Sequence, residues 1–170
     1  KKKNHNRLPD NNEPAHAFWR EVDWQVDANE TLACMDGLNA DWLIVDHYGL
    51  WEDWHFEVSS SQTKIMVIDD LCDRRHHCDL LLDQNLGANI SLYKDIIPKD
   101  SRVFFGPKYA LLRPEFSQYR DTSLARRKKN KVDNIVINFG GGDPDNYIAR
   151  TLTALLAVDI PDNVTISIIF

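Results

Sequence analysis

The sequence predicts an α/β fold built on parallel sheets. Two observations carry the prediction. Trp42-Leu43-Ile44-Val45 is a short apolar run that ends abruptly in Asp46-His47-Tyr48-Gly49, and Lys64–Ile68 is a second that ends in Asp69-Asp70. Between them, Trp51 to about Ser60 has helical character and returns the chain, a β-α-β rhythm that calls for parallel pairing. Open sheets of this kind offer ligand chemistry at the carboxyl ends of their strands. Asp46, His47 and Tyr48 are therefore the leading candidates for a small-molecule site.

The remaining elements follow in order. Residues 1–17 are polar, contain Pro9 and Pro14, and read as a loop. Asp23 to Gly37 reads as a helix with an apolar face of Val26, Leu32 and Met35 and a glycine suited to its C-terminal end. After the strands Trp42–Val45 and Lys64–Ile68, Cys78–Asp83 is a third apolar run and Arg102–Gly106 a short fourth. Pro107 and Pro114 bracket Tyr109–Arg113. Residues 117–133 carry Arg120, Arg126, Arg127, Lys128, Lys129 and Lys131 with no apolar period, which reads as a solvated linker. A new unit then begins with a strand from Asn134 to Phe139, the turn Gly140-Gly141-Gly142-Asp143-Pro144, a helix to about Val158 and a strand from Val164 to Phe170. The expected organisation is a first domain over residues 1–116, a linker over 117–132 and the opening of a second domain from 133.

Composition narrows the function classes. The chain has 170 residues, 43% of them hydrophobic, enough to build a core. A net charge of −6 and a pI near 5.4 argue against a general nucleic-acid partner, which needs a basic face. No apolar run is long enough for a membrane span. Cys34, Cys72 and Cys78 show no CxxC spacing, and although Cys72 and Cys78 flank His76 and His77, the pattern matches no standard zinc site. Reduced thiols in a cytoplasmic protein are the expectation, with no metal and no cofactor. The chain starts without methionine and stops inside an apparent strand, which reads as an internal segment of a longer protein.

Five groups of residues have chemistry to offer. Gly140-Gly141-Gly142 lies between a strand and a helix, where glycines permit close backbone approach and free N–H groups meet an anion. Asp143 is suited to the helix N-cap and Pro144 to the first helical position. The turn reads either as a phosphate or diphosphate contact or as a tight, well-capped turn; it is neither a P-loop nor a G-x-G-x-x-G fingerprint. His47 reads as a general base, as a substrate contact, or with Asp46 as a helix cap. Asp69-Asp70 reads as an acid pair, a metal site or a loop cap. His76-His77-Cys78-Asp79 reads as a substrate-orienting turn or a structural bend, and Arg113 with Glu115 as a hinge ion pair or a ligand contact. Trp19, Trp24, Trp42, Trp51 and Trp54 read as core or interface rather than a sugar platform.

Five motifs occur in register: Ile44-Val-Asp-His-Tyr-Gly-Leu50, Ile68-Asp-Asp-Leu71, His77-Cys-Asp-Leu-Leu-Leu-Asp-Gln-Asn85, Gly106-Pro-Lys-Tyr-Ala-Leu-Leu-Arg-Pro-Glu-Phe116 and Phe139-Gly-Gly-Gly-Asp-Pro144. Together they resemble the UDP-2,4-diacetamido-2,4,6-trideoxy-β-L-altropyranose hydrolases of pseudaminic acid synthesis, over most of residues 40–150. The resemblance implies two Rossmann-like domains of GT-B type with a UDP-linked sugar in the cleft, hydrolysis by water at the anomeric carbon, and diphosphate as the leaving group. It implies that Asp46, His47 and Tyr48 hold the sugar and that Gly140, Gly141, Gly142 and Asp143 face the diphosphate. The family's catalytic histidine sits in a Gly-x-Gly-His type loop that has no match here, so the base is expected upstream of Lys1. A GT-B glycosyltransferase and a non-catalytic nucleotide-sugar binding module are the alternatives.

Overall fold

The computed structural model describes residues 13–59, 62–129, 131–140, 143 and 145–169. It divides into two units, one running to Leu111 and the other from Leu112. The fold is α/β with parallel sheets throughout, as the apolar runs require.

In the first unit, β1 (Trp42–Val45), β2 (Lys64–Ile68), β3 (Leu80–Asp83) and β4 (Arg102–Phe105) form a parallel sheet in the order β1-β2-β3-β4. Strand β3 is buried at all four positions, because neighbours cover both of its faces. That is why its sequence, Leu80-Leu81-Leu82, is an unbroken apolar run rather than an alternating one. Strand β2 alternates, with Ile65 and Val67 buried. The core joins Val45, Ile65, Val67 and Leu81 to Ala28, Leu50, Trp54, Val58, Cys78 and Tyr93.

Helices α1 (Trp24–Met35) and α2 (Glu52–Val58) pack against each other. Helix α1 stops where Gly37 takes a φ of +76°, a left-handed turn that glycine makes without strain. The face it buries differs from the expected one. Ala28 is fully buried, whereas Val26 and Leu32 are exposed. The Trp54 indole donates to Asp27 Oδ1 at 2.8 Å, and this bond, with the small Ala28 beside it, turns the helix so that its tryptophan end (Trp24) and not its leucine meets the core. A short 3-10 turn at Ala17–Trp19 sits in the segment expected to be loop, and α3 (Ile90–Tyr93), capped by Asn89, places Tyr93 in the core.

The connection from β2 to β3 has no helix. It is held instead by side chains and by the His76 N–H, which donates to the Ile96 carbonyl at 2.7 Å. Of the tryptophans, Trp51 and Trp54 are buried and Trp24 packs on the core, but Trp19 and Trp42 are nearly half exposed.

The second unit contains α4 (Pro114–Gln118), α5 (Arg120–Arg127), β5 (Asn134–Asn138), α6 (Tyr147–Leu155) and β6 (Thr165–Ile169), with β5 and β6 paired in parallel. Residues read as an aperiodic solvated stretch thus include two short helices, and their side chains are indeed mostly exposed. Arg113, read as a hinge ion pair with Glu115 or as a ligand contact, lies over the Phe116 ring at 5.8 Å. Helix α6 starts at Tyr147, later than the sequence suggested; Gly141, Gly142 and Pro144 lie outside the described residues. No helix among the described residues is long and apolar enough to cross a membrane.

Candidate functional site

Strand register decides which polar residues meet. Val45 is level with Val67, and Tyr48 and Asp70 each follow three residues beyond that pair. Ile68 is level with Leu82, and Asp70 and Asn85 follow the ends of these two strands. The side chains follow that register. The Tyr48 hydroxyl donates to Asp70 Oδ1 at 2.6 Å, and Asn85 Nδ2 donates to Asp70 Oδ2 at 2.9 Å. Three successive strand ends are thereby linked across the carboxyl edge of the sheet, the edge at which open α/β sheets bind ligands.

A second, buried layer lies beneath. Asp69 and Arg74 are both withdrawn from solvent and meet at 2.7 Å. Arg74 also donates from Nε to the Leu50 carbonyl at 2.8 Å and pairs with Asp73 at 2.9 Å. Asp69 Oδ2 accepts from the Cys72 N–H at 3.1 Å, in a turn where Cys72 adopts a φ of +53°. The Tyr93 hydroxyl reaches Asp83 Oδ2 at 3.0 Å and the Asp69 carbonyl at 3.1 Å. Burial would raise the Asp69 pKa, but His76 and Arg74 outweigh it and hold the carboxyl at about 2. The carboxylate is therefore charged, and the guanidinium answers it. Asp69 and Asp70, adjacent in sequence, do different work: one braces the floor and the other faces the site.

Tyr48 is fixed from several sides. Its ring lies 5.7 Å from the Arg74 guanidinium, 5.5 Å from Trp19 and 5.8 Å from His16. The hydrogen bond to Asp70, then burial and the Asp70 charge, push its pKa up to about 12. The phenol is neutral at physiological pH.

His47 Nδ1 accepts from the Gly49 N–H at 3.1 Å. Burial lowers the pKa of the ring, and Arg20 and Arg74 add to the effect against the pull of Asp27. The neutral ring with Nδ1 engaged carries its proton on Nε2, where it is a donor. Asp46 and His47 line a groove of about 500 Å³ together with Trp19, Arg20, Leu50 and Trp54. Gly49 is required here, because a Cβ would come within 2.9 Å of both the His16 carbonyl and the His47 ring.

Asp46, His47 and Tyr48 thus lie together at the strand end. Gly140 and Asp143 belong to the second unit. Gly140 has a φ of +84° and its N–H donates to Asn138 Oδ1 at 2.6 Å. Asp143 does cap α6, from outside the helix: its carboxylate accepts from the Tyr147 N–H at 2.6 Å and the Ile148 N–H at 2.9 Å. His76 does not face the site. It is buried against His55 at 5.4 Å, while His77 lies against Phe56. Among the described residues no three His, Cys, Asp or Glu side chains are grouped to hold a metal ion.

Arg74, Tyr93 and the role of Asn85 escaped the sequence reading. Arg74 sits in a polar connection beside Arg75, an exposed arginine that looks identical in sequence. The one available signal was Asp69 at the end of a buried strand, since a buried carboxylate needs a partner.

No protein-family description matches the chain. Among curated proteins it is 28% identical over 142 residues to an uncharacterized protein of Methanocaldococcus jannaschii, covering 82% of this chain and 29% of that protein. It is 35% identical over 127 residues to the UDP-2,4-diacetamido-2,4,6-trideoxy-beta-L-altropyranose hydrolase of Campylobacter jejuni, covering 74% of this chain and 42% of that enzyme. The chain spans less than half the length of either relative.

Proposed function

We propose that this chain belongs to a nucleotide-sugar hydrolase that releases UDP from a 2,4-diacetamido-2,4,6-trideoxy sugar. The observation that carries the reading is the 35% identity, over 127 residues, to a relative bearing that name. The carboxyl-edge cluster supports it, because it offers what a sugar needs: a donor at His47 Nε2, an acceptor at Tyr48, and the Asp46 carboxylate beside them.

Hydrolysis of a glycosyl diphosphate requires an oriented sugar, an activated water and donors for the charge that develops on the leaving group. In this reading Asp46, His47 and Tyr48 orient the sugar. Tyr48, neutral and with its proton committed to Asp70, is not the base. The loop Gly140 to Gly142 meets the diphosphate. The N–H groups of Gly140, Tyr147 and Ile148 are already engaged within the second unit, so Asp143 must turn aside for the start of α6 to take an anion.

The test is UDP release by the intact protein, measured by ion-pair chromatography with the diacetamido UDP-sugar and no acceptor. Stoichiometric UDP and free sugar are expected. UDP that appears only when an acceptor sugar or lipid is added would make the protein a glycosyltransferase. Calorimetric binding of the UDP-sugar without turnover would make it a binding module.

A further inference from the structure

A phenol has one proton and can give it to only one strong acceptor at a time. In Tyr48 that proton points at Asp70 Oδ1, 2.6 Å away. What the phenolic oxygen has left for a ligand is its lone pairs. The acceptor that takes the proton is itself held: Asn85 Nδ2 occupies the second Asp70 oxygen at 2.9 Å. The ring cannot easily swing to another partner, because Arg74, Trp19 and His16 surround it at 5.5 to 5.8 Å. Arg74 in turn is fixed by its buried pair with Asp69.

We propose that Asp70 is a positioning residue that fixes Tyr48 as a hydrogen-bond acceptor, so that this point of the site recognises a hydroxyl or amide N–H on the bound ligand. A sugar carrying hydroxyl and acetamido groups supplies such donors; a bare carbonyl or a phosphate oxygen at the same place does not, because it would face lone pairs with lone pairs. The ligand's identity rests on the proposed nucleotide-sugar reading. The coupling between Asp70 and Tyr48 does not.

Two measurements test it. The first follows tyrosine ionisation in the intact protein by the ring-carbon NMR signals, with Tyr48→Phe to assign the resonance. Tyr48 is expected to titrate near 12 and to move toward the ordinary value of 10 in Asp70→Asn, with circular dichroism unchanged. A native Tyr48 that titrates near 10, or one that Asp70→Asn does not move, overturns the inference. The second uses the intact protein and the diacetamido UDP-sugar. Asp70→Asn should lower kcat/KM for UDP release roughly tenfold, Tyr48→Phe by a similar factor, and the double variant no further than Tyr48→Phe alone. Independent, multiplying losses would overturn it. If the intact protein releases no UDP, the hydrolase reading fails and the titration alone decides the coupling.

Discussion

Arg74 and Asp69 meet at 2.7 Å with both side chains almost wholly out of water. A buried pair of this kind adds little to stability over an apolar pair, but removing one partner strands the other. Arg74→Leu should therefore cost about 3–5 kcal/mol. Urea denaturation of the single variants and of Arg74→Leu with Asp69→Leu checks this. The double variant is expected to be more stable than the sum of the two single losses allows. Strict additivity, or a loss below about 1 kcal/mol for Arg74→Leu, would show that the pair is dispensable.

The fold should weaken in mild acid, and His55 on α2 is the reason. Its ring is fully buried, and neither nitrogen has a hydrogen-bond partner among the described residues. Burial, with the His76 and Arg74 side chains nearby, lowers its pKa from 6.5 to about 3; His77 adds to this and Asp69 opposes it. The folded state therefore stays neutral at His55 while the unfolded chain takes up a proton below pH 6.5. Stability attributable to this group is complete above that value and falls as the pH drops toward 3. Between pH 7 and pH 5 the loss amounts to about 2 kcal/mol. Asp69 acts lower, between its ordinary value of 3.8 and about 2, where protonation removes the partner of Arg74. In His55→Leu the difference in unfolding free energy between pH 7 and pH 5 should shrink by that amount. An unchanged difference would exonerate His55.

Gly49 has no room for a methyl group. Its Cβ would lie 2.9 Å from the His16 carbonyl and from His47 Cε1, and 3.2 Å from Arg20 Cγ. Gly49→Ala should cost about 1–3 kcal/mol and displace the His47 ring. The midpoint of thermal unfolding reports the first effect, and the histidine ring NMR signals report the second. A variant with a native midpoint and an unmoved His47 would contradict the geometry.

Asp143 holds the first two amides of α6. Removing a capping carboxylate costs about 1 kcal/mol. Asp143→Ala should raise the hydrogen-exchange rates of the Tyr147 and Ile148 amides several-fold while those of β1 to β3 stay constant. Unchanged protection at both amides would mean that water or another group caps the helix.

Much of the fold was readable from residue pattern. The run Leu80-Leu81-Leu82 marks a doubly covered strand, and the limits expected for β1 and β2 match those observed. Helices α3 and α4 escaped because four or five residues hold little more than one turn, and α5 because Leu124 and Ala125 are its only apolar residues. The buried face of α1 was misjudged because a hydrogen bond from Trp54 to Asp27, rather than the sum of apolar side chains, sets its rotation. At the site, Tyr48 and Asp70 stand out individually as polar residues after apolar runs. Their pairing depends on the register of β1 against β2, which only the folded sheet defines. Arg74 was hidden for a related reason: its burial is a property of the connection's path and not of its composition.

That connection from β2 to β3 has a kinetic consequence. Lacking a helix, it has few backbone bonds of its own, and it is tethered to the rest of the unit by Arg74 Nε on the Leu50 carbonyl and by the His76 amide on the Ile96 carbonyl. Its local opening should precede melting of the strands it joins, since such a tether can be lost without breaking the ladder. Each opening would also carry Asp70 away from Tyr48, so the lifetime of the tether sets an upper limit on how long the ligand-facing edge keeps its shape.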